Sequence, residues 1–226
     1  MFMEHREMKY QAVIFDFDYT LGDSTEGIFS SVSFGLQKLG HSPKGREAVR
    51  KTIGLSLEET YRALTGDGSK EQAAKFAAYF REQADRVMSE NTELFPDAMG
   101  LLQELKTCGI RAGIVTTKYH YRIDAILEKC HGTGYIGLIV GGEDVTVPKP
   151  DPEGLFLALG KWGLPREQVL YVGDSVVDAK TAEAAGVDFA GVTTGTTTKE
   201  ELEKFPCVGV YGSLQELGKG IIFHGK

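Results

Sequence analysis

The stretch Val13–Ser24, VIFDFDYTLGDS, combines an apolar run with two closely spaced aspartates. A short apolar run ends at Phe15, and two aspartates, Asp16 and Asp18, follow it with one phenylalanine between them. A continuous apolar, β-branched run is typical of a strand buried on both faces, as in a parallel sheet. Two carboxylates at the end of such a strand repel each other and are costly to desolvate. They are therefore either solvated turn residues or partners on a shared cation.

Runs of the same kind recur along the rest of the chain. The predicted strands are Ala12–Phe15, Ile110–Val115, Ile136–Val140, Val169–Val172, Val187–Val192 and Val208–Tyr211. Segments with a helical spacing of apolar residues lie between strands, at Asp97–Lys106, Tyr121–Cys130, Pro152–Trp162 and Val177–Ala185. This alternation predicts an α/β fold with a doubly wound, Rossmann-like parallel sheet.

One interval breaks the alternation, because no strand pattern is found between Gly22 and Phe95. It is too long for a simple loop, whose usual length is about 4–6 residues. Helical patterns occupy it instead, at Glu26–Leu39, Arg46–Ile53, Leu57–Leu64 and Lys70–Ser89. We therefore predict an all-helical domain at residues 23–93, inserted into a discontinuous α/β core made of residues 1–22 and 94–226.

The composition argues against several classes of function. A formal net charge of -7 without a basic block predicts no nucleic-acid partner. Cys108, Cys130 and Cys207 form no C-x-x-C pair, so neither disulfides nor a zinc site is expected. The N-terminal residues MFMEHREMKYQ predict no signal peptide, and no apolar run reaches the ~20 residues of a membrane helix. We expect a cytoplasmic monomer or weak homodimer with no membrane partner.

Polar residues follow the ends of four predicted strands. The segments are Asp16–Asp18, VTTK at Val115–Lys118, GGEDVTVPKPDP at Gly141–Pro152, which contains Lys149, and GDSVVD at Gly173–Asp178. The carboxyl ends of parallel strands meet at one edge of the sheet, where ligands bind in open α/β folds. Carboxylates, hydroxyls and a lysine gathered there suit a divalent cation and a phosphate.

In this order and spacing the four segments resemble the haloacid dehalogenase superfamily, whose members are mostly phosphatases. The matching positions are Asp16, Asp18 and Thr20 in D-x-D-x-T-L, Thr116 after the second strand, Lys149 in K-P-x-P, and Asp174 and Asp178 in G-D-x-x-x-D. The resemblance covers nearly the whole chain and includes a helical cap between the first and second segments. IGLSLEET (Ile53–Thr60) and the Gly141–Pro152 segment also resemble the phosphoglycolate-phosphatase-like subgroup.

The resemblance implies a Mg²⁺-dependent phosphatase that hydrolyses a small, phosphoglycolate-like phosphomonoester through an aspartyl-phosphate. Asp16 would be the nucleophile, and Asp18 would be the general acid and then the general base. Mg²⁺ would be held by Asp16, the backbone carbonyl of Asp18, and Asp174. The other implied core residues are Thr116, Thr117 and Lys149 for the phosphoryl oxygens, and Asp178 and Ser175 in supporting positions. Lys118 begins a basic and aromatic run, KYHYR (Lys118–Arg122), after Thr116, and is a further candidate for a place near the phosphate.

Substrate choice is expected to depend on the helical cap and on departures from the family pattern. Arg50, Lys51 and Ser56 flank a predicted cap loop and are candidates for substrate contacts. Tyr19 stands where the family usually has glycine, and Thr117 stands where asparagine is frequent. Neither departure removes a reacting group, so both bear on substrate choice rather than on the reaction class.

Several other functions share part of this pattern. A phosphohexose mutase of the β-phosphoglucomutase type shares every core residue, and an inorganic pyrophosphatase is a further alternative. A non-catalytic phospho-receiver or binding module also combines aspartates, a hydroxyl and a lysine, but it needs no inserted helical domain. A dehalogenase is disfavoured because it does not need an acid at Asp18, and a phosphonatase is disfavoured because Leu57 stands at the position of its cap lysine.

Overall fold

The computed structural model describes residues 9–222. Residues 1–8, on which the expectation of no signal peptide partly rests, and residues 223–226 lie outside the described range. The strands are β1 (Ala12–Phe15), β2 (Gly22–Asp23), β3 (Glu93–Leu94), β4 (Arg111–Val115), β5 (Leu138–Val140), β6 (Val169–Gly173), β7 (Asp188–Val192) and β8 (Gly209–Tyr211). The helices are α1 (Thr25–Lys38), α2 (Arg46–Arg50), α3 (Leu57–Thr65), α4 (Lys70–Val87), α5 (Ala98–Thr107), α6 (His120–Lys129), α7 (Glu153–Trp162), α8 (Val176–Ala185), α9 (Lys199–Leu202) and α10 (Leu214–Ile222).

A six-stranded parallel sheet forms the centre of the fold, in the order β5-β4-β1-β6-β7-β8. All six strands coincide with predicted ones to within two residues at each end, so the predicted α/β doubly wound fold is confirmed. β1 lies between β4 and β6, with Phe15 level with Ile114 on one side and Val172 on the other. The chain order reverses on the two sides of β1, which is the position where open α/β sheets bind ligands.

Both faces of the sheet are covered by apolar side chains, as continuous apolar strands require. On one face, Val13 and Phe15 pack with residues of α5, α6 and α10. On the other face, Ala12 and Ile14 pack with residues of α7, α8 and α9. β1 is therefore fixed from both sides, and the residues that follow it leave the sheet at a defined position.

Helices α1–α4, here called the helical segment, bury a third apolar cluster of their own. Val32 and Leu36 of α1 pack with Tyr61 of α3 and with Phe76 and Phe80 of α4. The four predicted helices of this interval are confirmed, although α2 ends at Arg50 and turns follow it up to Ser56. The division of the chain into a core and an inserted domain stays a prediction.

The prediction that no strand lies between Gly22 and Phe95 is wrong at the two ends of the interval. β2 and β3 pair antiparallel, with Gly22 opposite Leu94, where the chain enters and leaves the helical segment. Strands of two residues are too short to show any alternation in the sequence. Gly22 is required there, because a Cβ would lie 2.9 Å from the carbonyl oxygen of Glu93.

Among residues 9–222 no helix combines the length and the apolar character that a membrane crossing requires.

The contact between α1 and α4 gives a test of the helical packing. A Cβ at Gly35 would lie 2.9 Å from the ring of Phe76, which is fully buried, whereas a Cβ at Gly100 of α5 would meet nothing. Gly35→Ala is expected to destabilise the protein by about 1–3 kcal/mol through overpacking. Gly100→Ala is expected to stabilise it by up to about 1 kcal/mol, because alanine favours a helix. Urea unfolding followed by circular dichroism measures both, and shifts of the same sign would contradict this packing.

Candidate active site

The carboxyl edge of the sheet brings together the residues that the sequence singles out. Asp16 follows β1, and its backbone N–H donates to the carbonyl of Val172 at 2.8 Å. Thr116 follows β4, and its N–H donates to the carbonyl of Val140 at 3.0 Å. Asp174 follows β6, which pairs with β1 in register. Three neighbouring strands thus deliver two carboxylates and a hydroxyl to one edge.

Three buried carboxylates form a cluster at this edge. Asp16, Asp174 and Asp178 each offer an oxygen, and these oxygens lie within 4.8 Å of one another. Asp178 belongs to the first turn of α8 and is fully buried. Its approach depends on Gly173, because a Cβ at that position would overlap the Asp178 side chain.

Lys149 is the buried cation of the cluster. Its Nζ lies 2.6 Å from Asp178 Oδ1 and 3.0 Å from Asp16 Oδ1. Burial on its own lowers the pKa of Lys149, but the carboxylates of Asp16 and Asp178 raise that pKa well above its usual value. The ammonium therefore stays charged between the two carboxylates.

Asp178 is fully engaged as a hydrogen-bond acceptor. Its Oδ1 accepts from Lys149 and from the hydroxyl of Tyr171 at 3.0 Å. Its Oδ2 accepts from the backbone N–H of Ser175 at 3.1 Å and from the Ser175 hydroxyl at 2.5 Å. In return, the Ser175 hydroxyl accepts from the Asp178 N–H and caps α8. Asp178 and Ser175 thus hold Lys149 and the start of α8 in place.

Asp16 and Asp18 differ from Asp178, because in each of them the buried Oδ1 accepts no hydrogen bond from the described residues. Lys149 lies 3.0 Å from Asp16 Oδ1, and Lys118 lies 3.2 Å from Asp18 Oδ1. These distances allow ion pairs, but the contacts lack the angles of hydrogen bonds. Each of these oxygens therefore keeps acceptor capacity for a ligand.

The carboxylates of the cluster are electrostatically strained. Burial raises the pKa of Asp16 to about 6, although Lys149 partly offsets the effect. Burial and then the charges of Asp178 and Asp16 raise the pKa of Asp174 well above its usual value. Three carboxylates and one lysine leave an excess of negative charge in a buried site, which a divalent cation would neutralise. Asp16 and Asp174 could hold the cation, because oxygen ligands suit Mg²⁺ and neither side chain is saturated.

The segment after β4 forms one wall beside the carboxylates. Thr116 is buried, and its hydroxyl accepts from the backbone N–H of Lys118 at 3.3 Å. Lys118, which is predicted from the sequence to lie near the phosphate, is buried beside Asp18. Thr117 is half-buried, and the segment after β5 packs on it so closely that a Cβ at Gly142 would overlap its carbonyl.

A loop that sequence reasoning missed packs on the opposite side of the cluster. Thr194 follows β7 and its hydroxyl donates to the carbonyl of Tyr19. A Cβ at Gly195 would overlap the carboxylate of Asp174, so only glycine fits this position. The buried Thr20 also donates to Asp174 Oδ1 at 3.2 Å. This loop could have been identified from the sequence, because polar residues follow the predicted strand before it, as they follow the other strand ends.

Tyr19 adopts a left-handed backbone conformation, with φ +62°, in which glycine would be unstrained. Its ring is buried, and its hydroxyl contacts the Thr25 hydroxyl at 2.8 Å and accepts from Arg50 Nε at 3.2 Å. The Arg50 guanidinium also lies over the ring, 5.3 Å from its centre. The side chain therefore links the β1 loop to α2 of the helical segment.

A cavity of about 510 Å³, here called the interface cavity, lies between this sheet edge and the helical segment. On the sheet side it is lined by Asp18, Thr116, Thr117, Lys118 and Lys149, and on the helical side by residues of α1, α3, α4 and the turn after α2. Of the three predicted cap residues, Ser56 lines the cavity and caps α3. Arg50 contacts Tyr19, and Lys51 is exposed; the roles of all three stay predictions.

The family of the chain follows from comparison with known proteins. The family model of the haloacid dehalogenase-like hydrolases matches residues 13–192, and the chain therefore belongs to this family. Phosphoglycolate phosphatase of Yersinia pestis is 32% identical over 189 residues, which are 82% of each chain. Phosphoglycolate phosphatase of Photorhabdus laumondii is 33% identical, over 85% of this chain and 84% of that one.

The fold is also similar to that of a solved structure from Bacteroides fragilis, which is described as a haloacid dehalogenase-like hydrolase. The two chains superpose with a TM-score of 0.90 at 44% identity, over 92% of this chain and all of the other. The predicted family and enzyme class are thus confirmed: the chain is a hydrolase of the phosphatase type, which acts on phosphoric monoesters.

The raised pKa of Asp16 gives a test of the carboxylate cluster. Folded Asp16 binds its proton more tightly than the unfolded chain does, because its pKa moves from 3.8 to about 6. Its ionisation therefore destabilises the fold progressively between about pH 4 and pH 6, and the loss is complete at neutral pH. Without divalent cations, Asp16→Asn is expected to raise the free energy of unfolding by about 2–3 kcal/mol near pH 7.5. The gain is expected to fade towards pH 4.

Urea unfolding in the presence of a chelator measures this difference at each pH. Asp124→Asn is the matched control, because Asp124 is exposed on α6. An Asp16→Asn effect that is independent of pH would contradict the assigned strain.

Proposed function

We propose that the chain is a Mg²⁺-dependent phosphatase that hydrolyses a small, phosphoglycolate-like phosphomonoester through an aspartyl-phosphate on Asp16. One observation carries the proposal: Asp16 is a buried carboxylate whose Oδ1 has no hydrogen-bond donor among the described residues and lies 3.0 Å from Lys149. A structural aspartate would be saturated, as Asp178 is. An oxygen left available beside a fixed cation suits attack on an anionic substrate.

The chain's residues fit a divalent cation held by Asp16, Asp174 and the backbone carbonyl of Asp18. When bound, the cation offsets the repulsion between a carboxylate nucleophile and a phosphate dianion. Oxygen donors and excess negative charge favour Mg²⁺ over softer metals. Asp178 binds Lys149 rather than the divalent cation, since each of its oxygens already accepts two hydrogen bonds.

The reaction then has two displacements at phosphorus. Asp16 attacks the phosphorus atom, the bond to the ester oxygen breaks, and Asp18 donates a proton to that leaving oxygen. In the second step a water attacks the phosphorus of the aspartyl-phosphate, Asp18 accepts the water's proton, and Asp16 leaves as a carboxylate. Lys149 and Thr116 would bind the phosphoryl oxygens, where negative charge develops.

The helical segment would act as the cap of this site. It supplies one wall of the interface cavity, and Arg50 joins it to Tyr19 of the β1 loop. We infer that residues 23–93 form the inserted domain, that it covers the substrate, and that it excludes water during the reaction. Phosphoglycolate as a substrate is supported by the names of the Yersinia and Photorhabdus relatives. The cytoplasmic location and the monomeric or weakly dimeric state stay predictions from the sequence.

Phosphate release by Asp16→Asn tests this proposal. The variant is expected to lose at least about 10³-fold in kcat with phosphoglycolate and with p-nitrophenyl phosphate, because it lacks the nucleophile. Asp124→Asn is expected to keep wild-type turnover, and a chelator is expected to abolish wild-type turnover until Mg²⁺ is restored. Wild-type rates in Asp16→Asn, or turnover that does not depend on the metal, would contradict the proposal.

A further inference from the structure

Helix α4 contributes two cations to the wall of the interface cavity, one at its start and one in its second half. Lys70, Ala73, Ala77 and Arg81 recur at helical spacing and all line the cavity. Lys70 is exposed at the start of the helix, whereas Arg81 is half-buried. The small side chains between them leave space in front of the helix, so Arg81 forms part of the wall of a cavity rather than part of a packed core.

Arg81 differs from the three buried cations around the cavity, because each of those has a carboxylate partner, whereas Lys70 is exposed to solvent. Lys149 pairs with Asp16 and Asp178, and Lys118 pairs with Asp18. Arg122 pairs with Asp85 at 2.6 Å. Arg81 forms no ion pair among residues 9–222, and its buried Nε has no hydrogen-bond acceptor there. Its charge is therefore uncompensated by the protein.

The carboxylate best placed for Arg81 is already engaged. Asp85 follows one helical turn later, at the i+4 position where an arginine–aspartate pair would be favourable. Its Oδ1 instead accepts from Nε and Nη2 of Arg122 and from the hydroxyl of Tyr121. Glu82 directly follows Arg81 and therefore does not face it on the helix; it pairs with Arg86 instead.

Arg81 is also held in position on the cavity wall. Its guanidinium lies over the ring of Tyr119, 5.4 Å from the ring centre, and its carbonyl accepts from Arg122 Nη2 at 3.3 Å. Tyr119 directly follows Lys118, which contacts Asp18. The residue that supports Arg81 and the cation that contacts the proposed acid are thus consecutive in the chain.

We propose that Arg81 binds a second anionic group of the substrate, a carboxylate or a second phosphate carried by the leaving group. This inference rests on the proposed function, since it takes the interface cavity as the substrate site. A guanidinium presents a planar fork of donors that matches a carboxylate or phosphate in two-point contact. The chain would therefore select phosphomonoesters with an anionic leaving group over neutral ones of the same size.

Binding of non-hydrolysable phosphonates tests the inference without requiring turnover. The ligands are phosphonoacetate, 3-phosphonopropionate and 4-phosphonobutyrate, each compared with the alkyl phosphonate of equal chain length, by calorimetry with Mg²⁺ present. The wild type is expected to bind at least one carboxylate ligand about 10–100-fold more tightly than its alkyl counterpart. Arg81→Gln is expected to abolish that preference and Arg81→Lys to retain part of it. The affinity for propane-1,3-bisphosphonate, compared with that for the carboxylate ligands, shows whether the second anionic group is a phosphate or a carboxylate.

Arg86→Gln is the matched control, because Arg86 is an exposed arginine on the same helix and is expected to keep the full preference. The inference is overturned if the wild type shows no preference for the charged ligands, or if Arg81→Gln keeps that preference. A kinetic comparison separates this failure from that of the proposed function. Arg81→Gln is expected to retain p-nitrophenyl phosphate turnover within about 3-fold while kcat/KM for phosphoglycolate falls about 10–100-fold. An equal loss on both substrates would also overturn the inference.

Discussion

Three buried carboxylates clustered around a single lysine-paired site impose the constraint on which this structure depends: Lys149 pairs with two of them, Asp16 and Asp178. Asp16, Asp174 and Asp178 lie where mutual repulsion and desolvation oppose their ionisation, and Lys149 compensates only part of their charge. The architecture around them holds the arrangement together. Parallel pairing of β1 with β4 and β6 fixes the strand ends, Gly173 and Gly195 give the carboxylates room, and Ser175 anchors Asp178. A divalent cation would offset the negative charge that Lys149 leaves uncompensated in this cluster.

The carboxylates of the cluster differ in role: some support the site, and others are available for the reaction. Asp178 is saturated with donors and holds Lys149, whereas Asp16 keeps an oxygen that no described residue uses. The same distinction separates the arginines of the opposite wall. Arg122 is neutralised by Asp85, and Arg81 is left facing the interface cavity. Asp18 on the sheet side and Arg81 on the helical side both line the interface cavity, and each keeps a buried polar atom without a hydrogen-bond partner among residues 9–222. Such atoms on both walls of one cavity mark a place where a ligand can bind.

Much of this site was predictable from the sequence, for a physical reason. Apolar runs such as Ala12–Phe15 reveal buried strands, and parallel strands bring the residues that follow them to one edge. Asp16, Thr116, Lys149 and Asp174 could therefore be placed together without a structure. Features that depend on tertiary contacts could not be predicted from the sequence. β2 and β3 are too short to have a pattern, and the importance of Arg81 depends on which acidic residues are already engaged by other partners. Tyr19 was visible as a departure, but its contact with Arg50 was not.

In the proposed reaction, Asp16 carries the phosphoryl group during turnover. Single-turnover reaction with an isotope-labelled phosphomonoester, followed by acid quenching and borohydride reduction, tests it most directly. Reduction converts an aspartyl-phosphate to homoserine, which peptide mass spectrometry locates. We expect a transient label on the peptide that contains Asp16, and homoserine at that position after reduction. Label on another residue, or release of the alcohol product without any labelled protein at any quench time, would contradict it.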